Sequence, residues 1–170
     1  MFISPLSVNP FQFHMRHLVL IFAVFSLTGC QDDIQSSNPT FQGLRHGDYI
    51  WRSTARTASV ESTGTLTISG SDGNGSMIIS LPEANIGSYE LGEGKLATIT
   101  YTEVNTTYST QNNGEEYPVY LGDGQVTIES INEDSKTITG TFYFNSYDDS
   151  GTKYMNFSEG IFYNLSFTQL

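Results

Sequence analysis

The sequence predicts an all-β protein: a single antiparallel β-sandwich or barrel of about ten strands, meander-like in order, preceded by a signal peptide and a flexible tether. Three observations carry this expectation. After residue 40, apolar and polar side chains alternate with period two, and turn residues interrupt the alternation at roughly the spacing of short antiparallel strands. Thr, Ser, Gly, Tyr and Ile abound while Ala and Leu are sparse, which favours a pleated surface over a helix. No segment carries the apolar stripe that would bury one face of a helix.

Taken in order, Phe41 to Arg45 is the first expected strand, and His46-Gly47-Asp48 turns the chain. Tyr49 to Ala58 reads as one strand containing Trp51. Thr65 to Ser69 alternates cleanly, with Leu66 and Ile68 on one face. Ser71 to Gly75 is a turn of residues that tolerate positive φ. Met77 to Leu81 is more continuously apolar and is stopped by Pro82; Gly87 to Leu91 and Leu96 to Val104 follow. Residues 105–116 have neither periodicity nor apolar content and read as the longest loop, with Val119 to Leu121 as an edge fragment beyond it. Gln125 to Ile131 and Lys136 to Asn145 alternate again, the latter placing Ile138, Phe142 and Phe144 on one parity. Lys153 to Ser158 and Ile161 to Thr168 close the chain, with Gly160 as a break or bulge between them.

The segment from Met15 to Cys30 has a different character. Arg16 and His17 precede a ten-residue apolar run, Leu18 to Leu27. That run is too short to span a bilayer and fits the core of a signal peptide. It ends in Leu27-Thr28-Gly29-Cys30, which resembles the lipobox of bacterial lipoproteins. The resemblance implies cleavage before Cys30 and attachment of the acyl chains that anchor such proteins in a membrane. Residues 1–29 are therefore expected to be a signal peptide. Translation is expected to start at Met15, because the stretch before it lacks a basic residue and contains Pro5 and Pro10. Residues 30–40 are the expected lipidated cysteine and polar tether, and residues 41–170 the β domain. Gln31, rather than Asp, follows Cys30, so the common inner-membrane retention signal is absent. Gln31-Asp32-Asp33 resembles the short acidic tether that sends some lipoproteins to the cell surface.

Charge and composition exclude several classes of function. All 18 acidic residues follow Cys30, against six basic ones (Arg45, Arg52, Arg56, Lys95, Lys136 and Lys153), a net charge of about −12. Such a surface repels nucleic acid and anionic headgroups; it suits solubility or a basic partner. With one cysteine, no intramolecular disulfide can form. His46 is the only histidine after Cys30, which excludes a site built on several histidines. No Gly-x-Ser-x-Gly elbow accompanies it, so no triad is expected. Asp72, Asn74 and Ser76 faintly mimic a calcium loop but lack its closing Glu, and with Asp148 and Asp149 they read as turn chemistry. No catalytic residue, metal site or cofactor is expected.

Aromatic residues are the remaining candidates. All ten tyrosines follow Cys30. Trp51, Tyr101, Tyr108, Tyr117 and Tyr120 could form a platform on which sugars stack; cross-strand packing is the alternative. Trp51 is expected in the core. Tyr108 and Tyr117 flank the long loop and are the better platform candidates.

Several short motifs then fall into a recognisable order. Phe41-x-Gly-x-x-x-Gly-x-x-x-Trp51 is followed by Gly-Thr-Leu-Thr-Ile-Ser-Gly at 64–70 and Ile-Gly-x-Tyr-x-Leu-Gly at 86–92. Then come Gly-x-Val-Thr-Ile at 124–128, Lys-Thr-Ile-Thr-Gly-Thr-Phe-Tyr-Phe at 136–144 and Gly-x-Phe at 160–162. Together these resemble a family of small, uncharacterised Gram-negative envelope lipoproteins carrying an all-β domain of unknown function. The resemblance implies an all-β domain behind a lipobox and supplies no catalytic residues. The expected function is a non-enzymatic binding or structural role at the outer membrane or cell surface. The alternatives are a carbohydrate-binding module of a glycan-capture system and an inhibitor of a cationic hydrolase.

Overall fold

Eleven strands account for nearly all of the regular structure. In the computed structural model, residues 38, 40–115 and 119–170 are described; Cys30, the lipobox, Gln31-Asp32-Asp33 and Tyr117 lie outside them. The strands are β1 (Thr40–Arg45), β2 (Tyr49–Arg52), β3 (Ala55–Val60), β4 (Leu66–Ser71), β5 (Gly75–Leu81), β6 (Gly87–Gly92), β7 (Thr98–Glu103), β8 (Thr106–Ser109), β9 (Asp123–Asn132), β10 (Thr137–Asp148) and β11 (Tyr154–Gln169). Period-two patterning sets each face. In β4, Leu66, Ile68 and Gly70 point inward, and in β5 Met77, Ile79 and Leu81 do, while Ile78 between them faces solvent.

Pairing closes the sheet on itself. One edge of β11 pairs with β10; the other is shared by β1, opposite Phe157–Tyr163, and β3, opposite Phe167–Gln169. The far edge of β10 is likewise shared, by β9 over most of its length and by β8 at Tyr147 and Asp148. Antiparallel pairs β3–β4, β4–β5, β5–β7 and β7–β8 complete a ring, β11-β3-β4-β5-β7-β8-β10. Of the two architectures expected, this is the barrel, extended by β1–β2 beside β11 and by β9–β6 beside β10. Meander order holds through β3–β4–β5 and β9–β10–β11. It departs where β6 crosses to β9 and where β3 meets β11 in a parallel pair.

Long strands bend around such a ring only if something breaks their regularity. β11 contains two register shifts against β10, one at Glu159 and one near Asn164, and both residues have positive φ (48° and 47°). Each inserts an extra residue, which increases local twist. The expected interruption at Gly160 is therefore a bulge within one continuous strand. Gly160 itself lies under the ring of Phe142, and across the same pair Gly140 lies under Phe162: a Cβ built on either would come within 2.5 Å of a ring carbon. These two reciprocal glycine–phenylalanine contacts let the ladder curve tightly while burying both rings.

Three other expectations are corrected. Tyr49 to Ala58 is two strands, because Ser53 N donates to Phe41 O (2.9 Å) and Thr54 N to Ser71 O (2.8 Å). The chain thus leaves β1 and joins β4 at a corner. Residues 105–116 include β8, whose Thr and Ser side chains carry little apolar signal. Val119 to Leu121 is not a strand; Tyr120 O instead accepts from Gly114 N at 2.8 Å.

Aromatic rings dominate the interior. Trp51, as expected, is fully buried, with edge-on contacts to Phe41 (5.3 Å between centroids), Phe157 (5.9 Å) and Tyr101 (6.3 Å). Beside this cluster the Arg45 guanidinium binds both oxygens of Glu103 (3.1 and 2.5 Å) and lies 5.7 Å from the centre of the Tyr101 ring. Each charge satisfies the other, so this pair is a structural clamp between β1 and β7.

Candidate functional site

Outward-facing side chains of β9, β10 and β11 build a groove on the barrel surface. In β10 the inward parity carries Phe142, Phe144 and Ser146, which leaves Tyr143, Asn145 and Tyr147 on the other face. Met155 and Phe157 of β11 are buried, which turns Tyr154 and Asn156 outward. Near the turn between the two strands Asn145, Tyr147 and Tyr154 line this groove of about 560 Å³, together with Gly114, Tyr120, Leu121, Asp123, Gly151 and Thr152.

Its walls are phenol rings. The Tyr147 and Tyr154 rings lie 5.5 Å apart at 47° to one another. Tyr154 is 45% exposed and Tyr120, on the loop opposite, 59% exposed. Leu121 and Val119 beside it are exposed as well. Tyr147 is mostly covered, and Gly114 makes room for it: a Cβ there would sit 3.0 Å from the ring edge.

A line of polar groups starts at the Tyr154 hydroxyl. Tyr154 Oη donates to Asn145 Oδ1 (2.7 Å), which also accepts from Asn156 Nδ2 (2.8 Å). Asn145 Nδ2 donates in turn to Asp123 Oδ1 (2.6 Å). With both functions of Asn145 engaged, its orientation is fixed by the network. Burial pushes the Tyr147 and Tyr154 phenols above their ordinary range, and the nearby Asp123 carboxylate adds to this for both. Both phenols are therefore neutral hydrogen-bonding groups at physiological pH.

The loop that carries Tyr120 is held by its asparagines. Asn112 Nδ2 donates to Tyr147 O and to Asp149 Oδ1 (3.1 Å each), and Asn113 Oδ1 accepts from Gly122 N (3.0 Å). Glu115 N donates to Gly151 O (3.2 Å), which ties the same loop to the β10–β11 turn. The polar composition that made this segment read as a long loop is what pins it in place.

Of the described residues expected to form a platform, only Tyr120 is at the groove. Tyr108, one of the two favoured positions, faces the core at 9% exposure, because β8 turns it inward opposite Tyr101. Trp51 and Tyr101 are buried in the same core, and Tyr117 lies outside the described residues. Tyr147 and Tyr154 were missed. Their parity on β10 and on the start of β11, opposite to that of Phe144 and Phe157, was the signal that could have found them. His46 is in an exposed turn with φ of 51°, and its ring lies 5.9 Å from that of Tyr154. Both acidic clusters are occupied by turns: Asp72 Oδ1 accepts from Asn74 N and Gly75 N, and Asp148 Oδ1 from Lys153 N. Among the described residues no cluster of His, Cys, Asp and Glu could hold a metal ion.

A family model described as a domain of unknown function, DUF6252, matches residues 37–166, most of the chain and all but the end of the last strand. The chain belongs to the DUF6252 family. The match to DUF6252 spans the barrel and every described residue of the groove. No curated protein and no solved structure matches the chain.

Proposed function

We propose that this protein is a lipid-anchored, non-catalytic binding domain of the bacterial envelope, and that its tyrosine-lined groove binds carbohydrate. One observation carries the ligand class: a tilted pair of phenol rings, Tyr147 and Tyr154, and a hydrogen-bonded Tyr154–Asn145–Asp123 line share a groove of about 560 Å³. Sugars present apolar ring faces edged by hydroxyls, and this surface offers aromatic faces edged by amide, carboxylate and phenol groups. The groove residues supply one carboxylate and no paired nucleophile and base, which supports binding rather than turnover. Anchoring is supported by the Leu27-Thr28-Gly29-Cys30 motif after its apolar run.

The test uses the full-length protein purified in detergent. Binding to a broad panel of glycans is expected to be saturable for at least one. Tyr154→Ala is expected to weaken it about tenfold, an energy typical of one lost aromatic contact. Tyr108→Phe should leave it unchanged. Because Trp51 is fully buried, tyrosine emission or calorimetry is the proper readout. No response across the panel would overturn the carbohydrate reading. For the anchor, labelled palmitate should enter the protein and be lost in Cys30→Ala. Protease applied to intact cells should remove the domain if the acidic tether carries it to the surface.

A further inference from the structure

We infer that the groove selects a cationic sugar, a glycan with free amino groups such as an oligomer of glucosamine. This inference rests on the carbohydrate reading above and narrows it. Among the described residues the groove is lined by one carboxylate and by phenol rings, with no Lys or Arg. Asp123 makes no ion pair among the described residues, whose salt bridges are Arg45–Glu103, Lys95–Glu90 and Lys136–Glu133. Its described hydrogen-bond partner is Asn145 Nδ2, bound through Oδ1. The cation of the adjoining turn, Lys153, places its Nζ on Thr106 Oγ1 at 3.1 Å and makes no ion pair with Asp123. An ammonium entering the groove beside Tyr120 and Tyr154 would meet exposed aromatic rings next to a carboxylate that makes no ion pair among the described residues, the chemistry that cation-binding aromatic sites use. The charge of about −12 after Cys30 acts in the same direction over longer range, since it concentrates cationic ligands and repels uronic-acid or phosphate-bearing ones. A neutral sugar would gain the stacking and hydrogen bonds but no charge pairing.

The experiment compares a glucosamine hexamer with its fully N-acetylated counterpart, by calorimetry on the full-length protein in detergent, at one fixed pH where the free amines are charged. The free-amine oligomer is expected to bind about tenfold more tightly, the size of a partly desolvated cation–π and carboxylate contact. Asp123→Asn keeps the oxygen that Asn145 contacts and removes the charge; it should bring the two oligomers level. Added salt should weaken the free-amine oligomer and leave the acetylated one unchanged, a test on the wild-type protein that needs no variant to fold. Equal binding of the two oligomers would overturn the charge selection and leave the carbohydrate reading intact. Binding of an oligolysine peptide with no binding of either oligomer or of any panel glycan would overturn both.

Discussion

Gly140 and Gly160 show what a single hydrogen in place of a methyl group does in this barrel. Each sits beneath a phenylalanine of the opposite strand, so the two motifs Gly140-x-Phe142 and Gly160-x-Phe162 are one reciprocal device read from two places in the chain. Gly160→Ala should destabilise the protein by about 2–3 kcal/mol through overpacking, measured by urea unfolding. Combining it with Phe142→Leu should recover part of that loss, because the two changes meet at one contact and are not additive. The motifs at 136–144 and 160–162 thus record a packing constraint. The groove residues, one face away, obey no such rule. Buried positions carry a volume constraint that sequence patterning displays, whereas a binding surface is defined by which outward residues three strands and a loop bring together. Tyr154 illustrates the difference: nothing around it in sequence announces Asn145 or Asp123, which reach it through strand pairing.

At the scale of strands and turns, the alternation of Leu66 and Ile68, of Met77 and Ile79, and of Phe142 and Phe144 made β4, β5 and β10 legible. β8 was not, since Thr106, Thr107 and Ser109 give no apolar rhythm and its inward residue, Tyr108, stands alone. The corner at Ser53-Thr54 was hidden for the opposite reason: the strand pattern runs on through it while the pairing partner changes. The turn before β8 carries a local conflict. Val104 joins β7 to β8 with φ of 55° and is 86% exposed, so a β-branched residue occupies a left-handed position without burial to compensate. Val104→Gly should therefore stabilise the domain by about 1 kcal/mol, seen as a raised urea midpoint with an unchanged slope. A lower midpoint would mean that Val104 has a contact role that outweighs its strain.

For the molecule as a whole, the aromatic interior sets the response to alkali. Burial pushes the Tyr101 phenol up to about 12, and Tyr89, Tyr108, Tyr147 and Tyr154 are also raised, in each case chiefly by burial. In the unfolded chain a tyrosine ionises near 10. The folded state holds its protons to higher pH than the unfolded state, so the contribution is complete below about pH 10 and is lost as pH rises towards 12. Stability followed by urea unfolding should fall across that interval, and Tyr101→Phe should flatten the fall. An unchanged slope in that variant would show that Tyr101 is not the group responsible.

The way β11 is shared has a temporal consequence. It is the last of the eleven strands to be synthesised, yet it supplies the pairing edge for β1, the first, and for β3. Until it is present, β1 has only the four-residue β2 beside it and the ring cannot close. Contacts of such wide sequence separation form slowly, because the loop between them must be closed before any energy is gained. A chain still being synthesised would therefore keep its ring open until β11 is available to pair with β1 and β3.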